Sequence, residues 1–302
     1  MKSIIEVEHL RKTYGQVVAV DDVSFQVAEG EIFGMLGPNG AGKTTTVECL
    51  QALRSADTGH VRVAGLDPQT QGNQVRRLTG SQLQESALPD RMRVWEALDL
   101  FAAVSPIAED WRVLLQQWGL ENKRKASFGA LSGGQRQRLF IALALVNKPM
   151  VIFLDEMTTG LDPAARHVAW DLIKAIRDKG TTVVLVTHFM DEAEELCDRV
   201  AVVDHGNVIA CDSPGKLVAE HGGEVTVTFT AEEADCGWMS GVPCVQTVTR
   251  VGTKMEVRGE GAIVAHVAAS LLQHGIEPID LRVRQPNLED VFLRLTGRRS
   301  GD

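Results

Sequence analysis

The segment from Ile32 to Thr44 constrains this chain more than any other. Ile32-Phe33-Gly34-Met35-Leu36 is a compact apolar run that ends on Gly37-Pro38-Asn39-Gly40-Ala41-Gly42-Lys43-Thr44, and the residues from Thr44 to Arg54 then carry helical spacing. A strand that is apolar throughout needs cover on both faces, so the order strand, glycine loop, helix implies a parallel sheet layered with helices. Glycines permit backbone angles at which successive N–H groups turn inward around an anion, and the helix start adds unpaired N–H groups. Lys43 is then placed as a point charge on β and γ phosphates, and the Thr44 hydroxyl faces Mg2+. The residues from Gly37 to Thr45 are therefore expected on a nucleotide's phosphates. The competing reading, a glycine-rich turn that merely contains a lysine, lacks a reason for the strand and helix on either side.

That alternation continues along the chain. Short strands are expected around Ile4 to Leu10, Val18 to Val27 and His60 to Leu66, with turns at Tyr14-Gly15 and Glu29-Gly30. Helical spacing at Val94–Val104 and Asp110–Trp118, and again from Gly133 to Val146, predicts a mostly helical insert over about residues 85–147. Strands at Met150–Leu154 and Thr182–Val186 bracket a helix from Pro163 to Lys179, completing an α/β core with a largely parallel sheet. After about Pro214 the pattern changes to strands at Glu224–Thr230, Lys254–Arg258 and Ile279–Val283 with helices at Ala262–His274 and Pro286–Leu295. This predicts a first domain over residues 1–218 and a small α+β accessory domain over residues 219–302; a tail packed onto the first domain is the alternative.

Two further motifs bear on phosphate chemistry. Val151-Ile152-Phe153-Leu154 ends in Asp155-Glu156, which puts Asp155 at the edge of a central strand where it can hold a Mg2+ shell. Glu156 follows, placed to reach an attacking water as base or positioning group. Leu131-Ser132-Gly133-Gly134-Gln135 precedes a helix, and a serine hydroxyl with glycine N–H groups at a helix start is again an anion site, although an ordinary helix cap has the same composition.

With these residues the chain resembles the ABC ATPases, whose signature is LSGGQ, over roughly residues 4–215. The resemblance implies a P-loop NTPase cassette with an antiparallel β subdomain and a helical insert, followed by the small α+β domain. It implies ATP and Mg2+ as bound groups, and two cassettes packed head to tail, so that Ser132, Gly133, Gly134 and Gln135 of one close on the nucleotide held by Gly37 to Thr45 of the other. It also implies that Tyr14 stacks on adenine, that Asp162 in Thr159-Gly160-Leu161-Asp162 lies at the dimer seam, and that His188 contacts γ-phosphate and Glu156. Each has a plainer reading, as a packed tyrosine, a helix N-cap before Pro163 and a strand-end histidine. Gln84 is preferred to Gln82 as the glutamine that touches the metal or water, because an acidic residue follows it. Met157 stands where the family ordinarily has proline, which is expected to loosen that loop while leaving the Asp155-Glu156 pair intact.

Composition bounds the partners. The net charge of -9, from 31 basic against 40 acidic residues, argues against nucleic acid. Scattered cysteines with no CxxC pair fit a reducing compartment, and the acidic Glu6 so near the start argues against a secretory leader. No stretch approaches the roughly 18 apolar residues needed to span hydrocarbon. The expected partners are a separate integral membrane permease and a second cassette, with the chain peripheral on the cytoplasmic face of the membrane. The segment Gln285 to Gly297 resembles the close of exporter cassettes in the daunorubicin-resistance-like group, which pair with ABC-2 type permeases, and so points to export of a hydrophobic, drug-like or lipid-like compound. The alternative is a soluble ABC ATPase that remodels a ribosomal or nucleoprotein complex, against which stand a single glycine loop and the absence of a heptad array.

Overall fold

The computed structural model of the chain describes residues 2–82, 87–231, 237–278 and 280–297. The chain divides into two compact units, Met1–Pro214 and Gly215–Asp302. In the first, β1 (Ser3–Tyr14) and β2 (Val17–Ala28) form a hairpin closed by Gly15, whose φ of 59° suits the turn. After β3 (Ile32–Leu36) come α1 (Lys43–Leu50) and β4 (Thr58–Val63), the latter pairing with β1 to complete an antiparallel subdomain. Then follow α2 (Gly72–Leu78), β5 (Thr79–Gln82), α3 (Val94–Val104), α4 (Trp111–Gln117) and α5 (Gly133–Leu145), the last three forming the helical insert. The core closes with β6 (Val151–Asp155), α6 (Pro163–Asp178), β7 (Thr182–Thr187), α7 (Met190–Leu196), β8 (Arg199–Asp204) and β9 (Asn207–Asp212).

The strands make one nine-stranded sheet in the order β4-β1-β2-β9-β8-β3-β7-β6-β5, in which the run from β8 to β5 is parallel. Every residue of β3, β6 and β7 is buried, as strands covered on both faces must be. Because these three run in one direction, the residues that follow them all emerge at the same edge. That topology gathers the glycine loop, Asp155-Glu156 and His188. The antiparallel subdomain joins through a single parallel pair, Asp22 with Asn207.

The helix expected to run to Arg54 stops at Leu50. Ala52 takes a left-handed φ of 57°, and the N–H groups of Leu53 and Arg54 both turn back to the Glu48 carbonyl, a closure that satisfies the helix end.

The second unit is a four-stranded antiparallel sheet in the order β11-β12-β10-β13. Running in chain order after α8 (Pro214–His221), it contains β10 (Val225–Thr230), β11 (Val245–Val251), β12 (Lys254–Gly259), α9 (Ile263–Gln273), β13 (Arg282–Arg284) and α10 (Leu288–Thr296). Alternate residues Val227, Phe229, Met255 and Val257 pack against Ile263, Val267 and Leu271 of α9 in a core of their own. The strand expected over residues 279–283 is shorter and later. Asp280 instead accepts from the Thr230 backbone and hydroxyl at 2.8 and 2.7 Å, which pins the segment ahead of β13 to the end of β10; Ile279 lies outside the described residues. The expected boundary at residues 218/219 falls inside α8.

Candidate functional site

β3 delivers the chain into the glycine loop and α1 carries it away. Gly40 and Gly42 take φ values of 80° and 102°, and a Cβ on Gly42 would stand 2.4 Å from the Ala19 carbonyl oxygen, so this loop closes only with glycine there. Gly42 is also the N-cap of α1, and no side chain caps that end. The first N–H groups of α1 are therefore free to face an anion. Lys43 is buried, and its Nζ donates to the carbonyls of Gly37 at 2.7 Å and Pro38 at 3.0 Å. Burial pushes its pKa down, while Glu156 and Asp155 hold it up. An ammonium has three donors, so one remains for a ligand.

In front of the loop is a cleft of about 530 Å³ lined by Tyr14, Val17, Val18, Ala19, the residues from Asn39 to Thr45, and Glu156. Gly37 and Pro38 do not line it; they stand behind the loop and hold Lys43. Tyr14 is 41% exposed, with the cations of Lys12 and Arg54 beside its ring at 5.6 and 5.9 Å from the centroid. Val17 and Val18, exposed at 65% and 44%, extend this apolar wall. The sequence reading did not single them out, although two solvent-facing valines beside a tyrosine are the signal such a wall would give.

Asp155 closes β6 at 4% exposure. Burial, reinforced by the charge of Glu156, pushes its carboxyl up to about 6, against the pull of Lys43 and a hydrogen bond from the Thr44 hydroxyl. Two hard oxygen donors thus meet where a cation would relieve a buried carboxylate, and this set fits Mg2+. Glu156 takes a left-handed φ of 48°; its N–H donates to the Val186 carbonyl at 2.9 Å, and its Oε1 lies 3.2 Å from Nδ1 of His188. The ends of β6 and β7 are thereby joined at the cleft. Gln84 lies outside the described residues. Gln82 is buried at the end of β5 and accepts from the side chain of Gln137, and the buried Met157 gives its carbonyl to the same amide.

Ser132, Gly133, Gly134, Gln135 and Asp162 lie together, but elsewhere. With Arg138, Gly160, Leu161 and Ala165 they line a second cleft of about 430 Å³ that shares no residue with the first. Ser132 and Gln135 form a reciprocal capping box at the start of α5, at 3.4 and 3.1 Å. Asp162 caps α6 by accepting from the Ala165 N–H at 2.9 Å, so the plainer role read for it is present alongside its place in this cleft. Nothing lies within 4 Å of a Cβ built on Gly133 or Gly134. Arg138 and Gln137, one turn further along α5, were not singled out from the sequence, since nothing in their spacing separates them from other polar residues on that helix.

Comparison with known proteins agrees with this architecture. Residues 20–159 match the ABC transporter family. Over 306 residues the chain is 37% identical to a Nod factor export ATP-binding protein I of Ralstonia nicotianae, with 99% of this chain and 95% of that protein covered. It is 36% identical to a daunorubicin resistance ATP-binding protein of Streptomyces coeruleorubidus over 98% of this chain and 96% of that one. A solved dimeric structure of a bacterial ABC transporter cassette matches with a TM-score of 0.61 at 27% identity, covering 69% of this chain and 98% of that one.

Proposed function

The chain belongs to the ATP-binding subunits of ABC transporters, and from that premise we propose that two copies, packed head to tail, hydrolyse ATP at their seam to drive export through a separate permease. The observation that carries the pairing is the disjointness of the two clefts: one chain has a phosphate cradle and a capped helix start, and the two line different cavities. In a head-to-tail pair each cradle meets the partner's cap, which matches the dimeric state of the similar solved cassette.

Within that pair, Tyr14 stacks on adenine and the residues from Gly37 to Thr45 wrap the phosphates, with Lys43 on the β and γ oxygens. Thr44 and Asp155, with Gln84, would hold Mg2+, which when bound would neutralise charge developing on the transferred phosphoryl group. Glu156 positions the attacking water, and His188, within hydrogen-bond distance of Glu156, fixes its carboxylate. Ser132, Gly133, Gly134 and Gln135 present the α5 start to the partner's γ-phosphate, and Asp162 lies at the seam.

Export is supported by the relatives, which are an export protein and a drug-resistance protein matched over nearly their whole length. We take the cargo to be hydrophobic, drug-like or lipid-like, the partner to be an ABC-2 type permease, and the chain to sit peripherally on the cytoplasmic face. Among the described residues no helix is long and apolar enough to cross a membrane, consistent with a permease supplied by another chain. The test is Glu156→Gln. With saturating MgATP this variant is expected to run as a dimer on size exclusion and to lose at least about a hundredfold in phosphate release. Retained turnover, or a monomer, would reject the assignment. Affinity capture from detergent-solubilised membranes is expected to bring down an integral membrane protein; recovery of ribosomes instead would favour the remodelling alternative.

A further inference from the structure

The side chain of Gln137 lies where three segments of the site meet. It stands on α5 beyond the Ser132 cap, along a narrow void between α5 and α6 that Gly134, Arg138 and Ile141 also line. Its amide nitrogen donates to the carbonyl of Met157, one peptide past Glu156, and to Oε1 of Gln82 at 3.4 Å. An amide carries two N–H donors, so both are used; one acceptor ends β5 and the other lies in the turn just past β6, two neighbouring strands paired in register as Gln82 with Leu154. Both acceptor residues are buried, Gln82 at 6% and Met157 at 1% exposure, so water cannot readily replace the donor.

Glu156 is thereby held on both sides. Its own N–H is fixed to Val186 of β7, and the carbonyl of the next residue is fixed to α5. A left-handed φ of 48° at a non-glycine residue persists only where such contacts over-determine it. The same α5 is a rigid rod of 13 residues whose tip is the Ser132 cap.

We propose that Gln137 is a positioning residue that ties the helix-cap half-site of a protomer to that protomer's own Glu156. The inference rests on the head-to-tail reading above. Closure of α5 on a partner's nucleotide and the setting of the protomer's own carboxylate then become one movement, so that each ATP site reports to the other through a single amide.

Two full-length variants test this. Gln137→Met keeps the length and removes the donors; Gln137→Glu keeps the shape and turns a carboxylate on both acceptors. Both are expected to bind MgATP within about twofold of the parent and to remain folded, melting a few degrees lower because two buried acceptors lose their donor. Introduced into Glu156→Gln, both are expected to leave the MgATP dimer intact. Turnover is expected to fall about tenfold in kcat, as the orphaned Met157 carbonyl releases Glu156. The Hill coefficient for ATP is expected to drop from near 2, the limit set by two sites, to about 1. A merely structural role would leave the Hill coefficient where it was. If kcat and the Hill coefficient of both variants stay at parental values while Glu156→Gln still dimerises, the relay is overturned and the pairing stands. If Glu156→Gln alone stays monomeric under saturating MgATP, the pairing itself is overturned and the relay falls with it.

Discussion

At Asp155 burial and a neighbouring carboxylate raise the proton affinity of the group that would hold the metal. With its carboxyl pushed up to about 6, a proton competes for the same oxygen as pH falls through that value. MgATP affinity is therefore expected to weaken about tenfold between pH 7 and pH 5 in the parent and by less in Asp155→Asn, which has no carboxyl to titrate there; calorimetric titration of both at both values checks it. Equal declines in parent and variant would remove Asp155 from the metal's shell. Glu192 poses the same physics without a ligand. It is fully buried, and burial raises its carboxyl above the ordinary 4.5, only partly offset by the nearby Thr187 and Thr158 hydroxyls and by a hydrogen bond of 3.1 Å from the Trp170 indole. Since the folded chain keeps this proton longer than the unfolded one, stability falls as pH rises from about 4.5 through the raised value. Glu192→Gln keeps an acceptor for Trp170 and cannot ionise. Its urea midpoint is expected to equal or exceed the parent's at pH 7.5 and to vary less between pH 5 and 7.5; parallel pH dependences would refute this.

Among the elements, the start of α5 separates local stability from assembly. A methyl at Gly134 meets nothing within 4 Å and sits in a helix, where alanine is favoured over glycine by about 1 kcal/mol. Gly134→Ala is thus expected to fold at least as well as the parent and to bind nucleotide as a monomer unchanged, yet to lower the fraction of MgATP dimer in the Glu156→Gln background. Analytical ultracentrifugation reads this directly, and an undiminished dimer would place Gly134 away from the seam. Several strongly patterned elements were legible in the sequence, since β3, β6, β7, α5 and α6 lie within about a turn of their expected positions, whereas the buried β8 and the seven-residue β11 drew no expectation. β5, of four residues, and β9, half-exposed along its length, were not legible, because neither carries a period that one strand's worth of residues can establish. The end of α1 was misjudged for a different reason, a left-handed alanine that has no sequence mark. Spacing marked the residues expected on phosphate, and the family resemblance implied that they form two half-sites; that they line two clefts with no residue in common is what the packing adds.

For the molecule as a whole, each unit encloses its own apolar core, one threaded through the nine-stranded sheet and one between the four-stranded sheet and α9. Residues 1–222 are expected to fold without the remainder and to bind MgATP with an affinity within about threefold of the full chain, since all the residues facing the first cleft precede Pro214. Circular dichroism and nucleotide titration of that fragment test the point, and an unfolded fragment would show that the second core is needed by the first. The disjoint clefts also bear on supply. If a working site exists only where two chains meet, mass action governs output: for the free chain in dilute solution the total hydrolysis rate grows as the square of its concentration, so halving the concentration would quarter the rate.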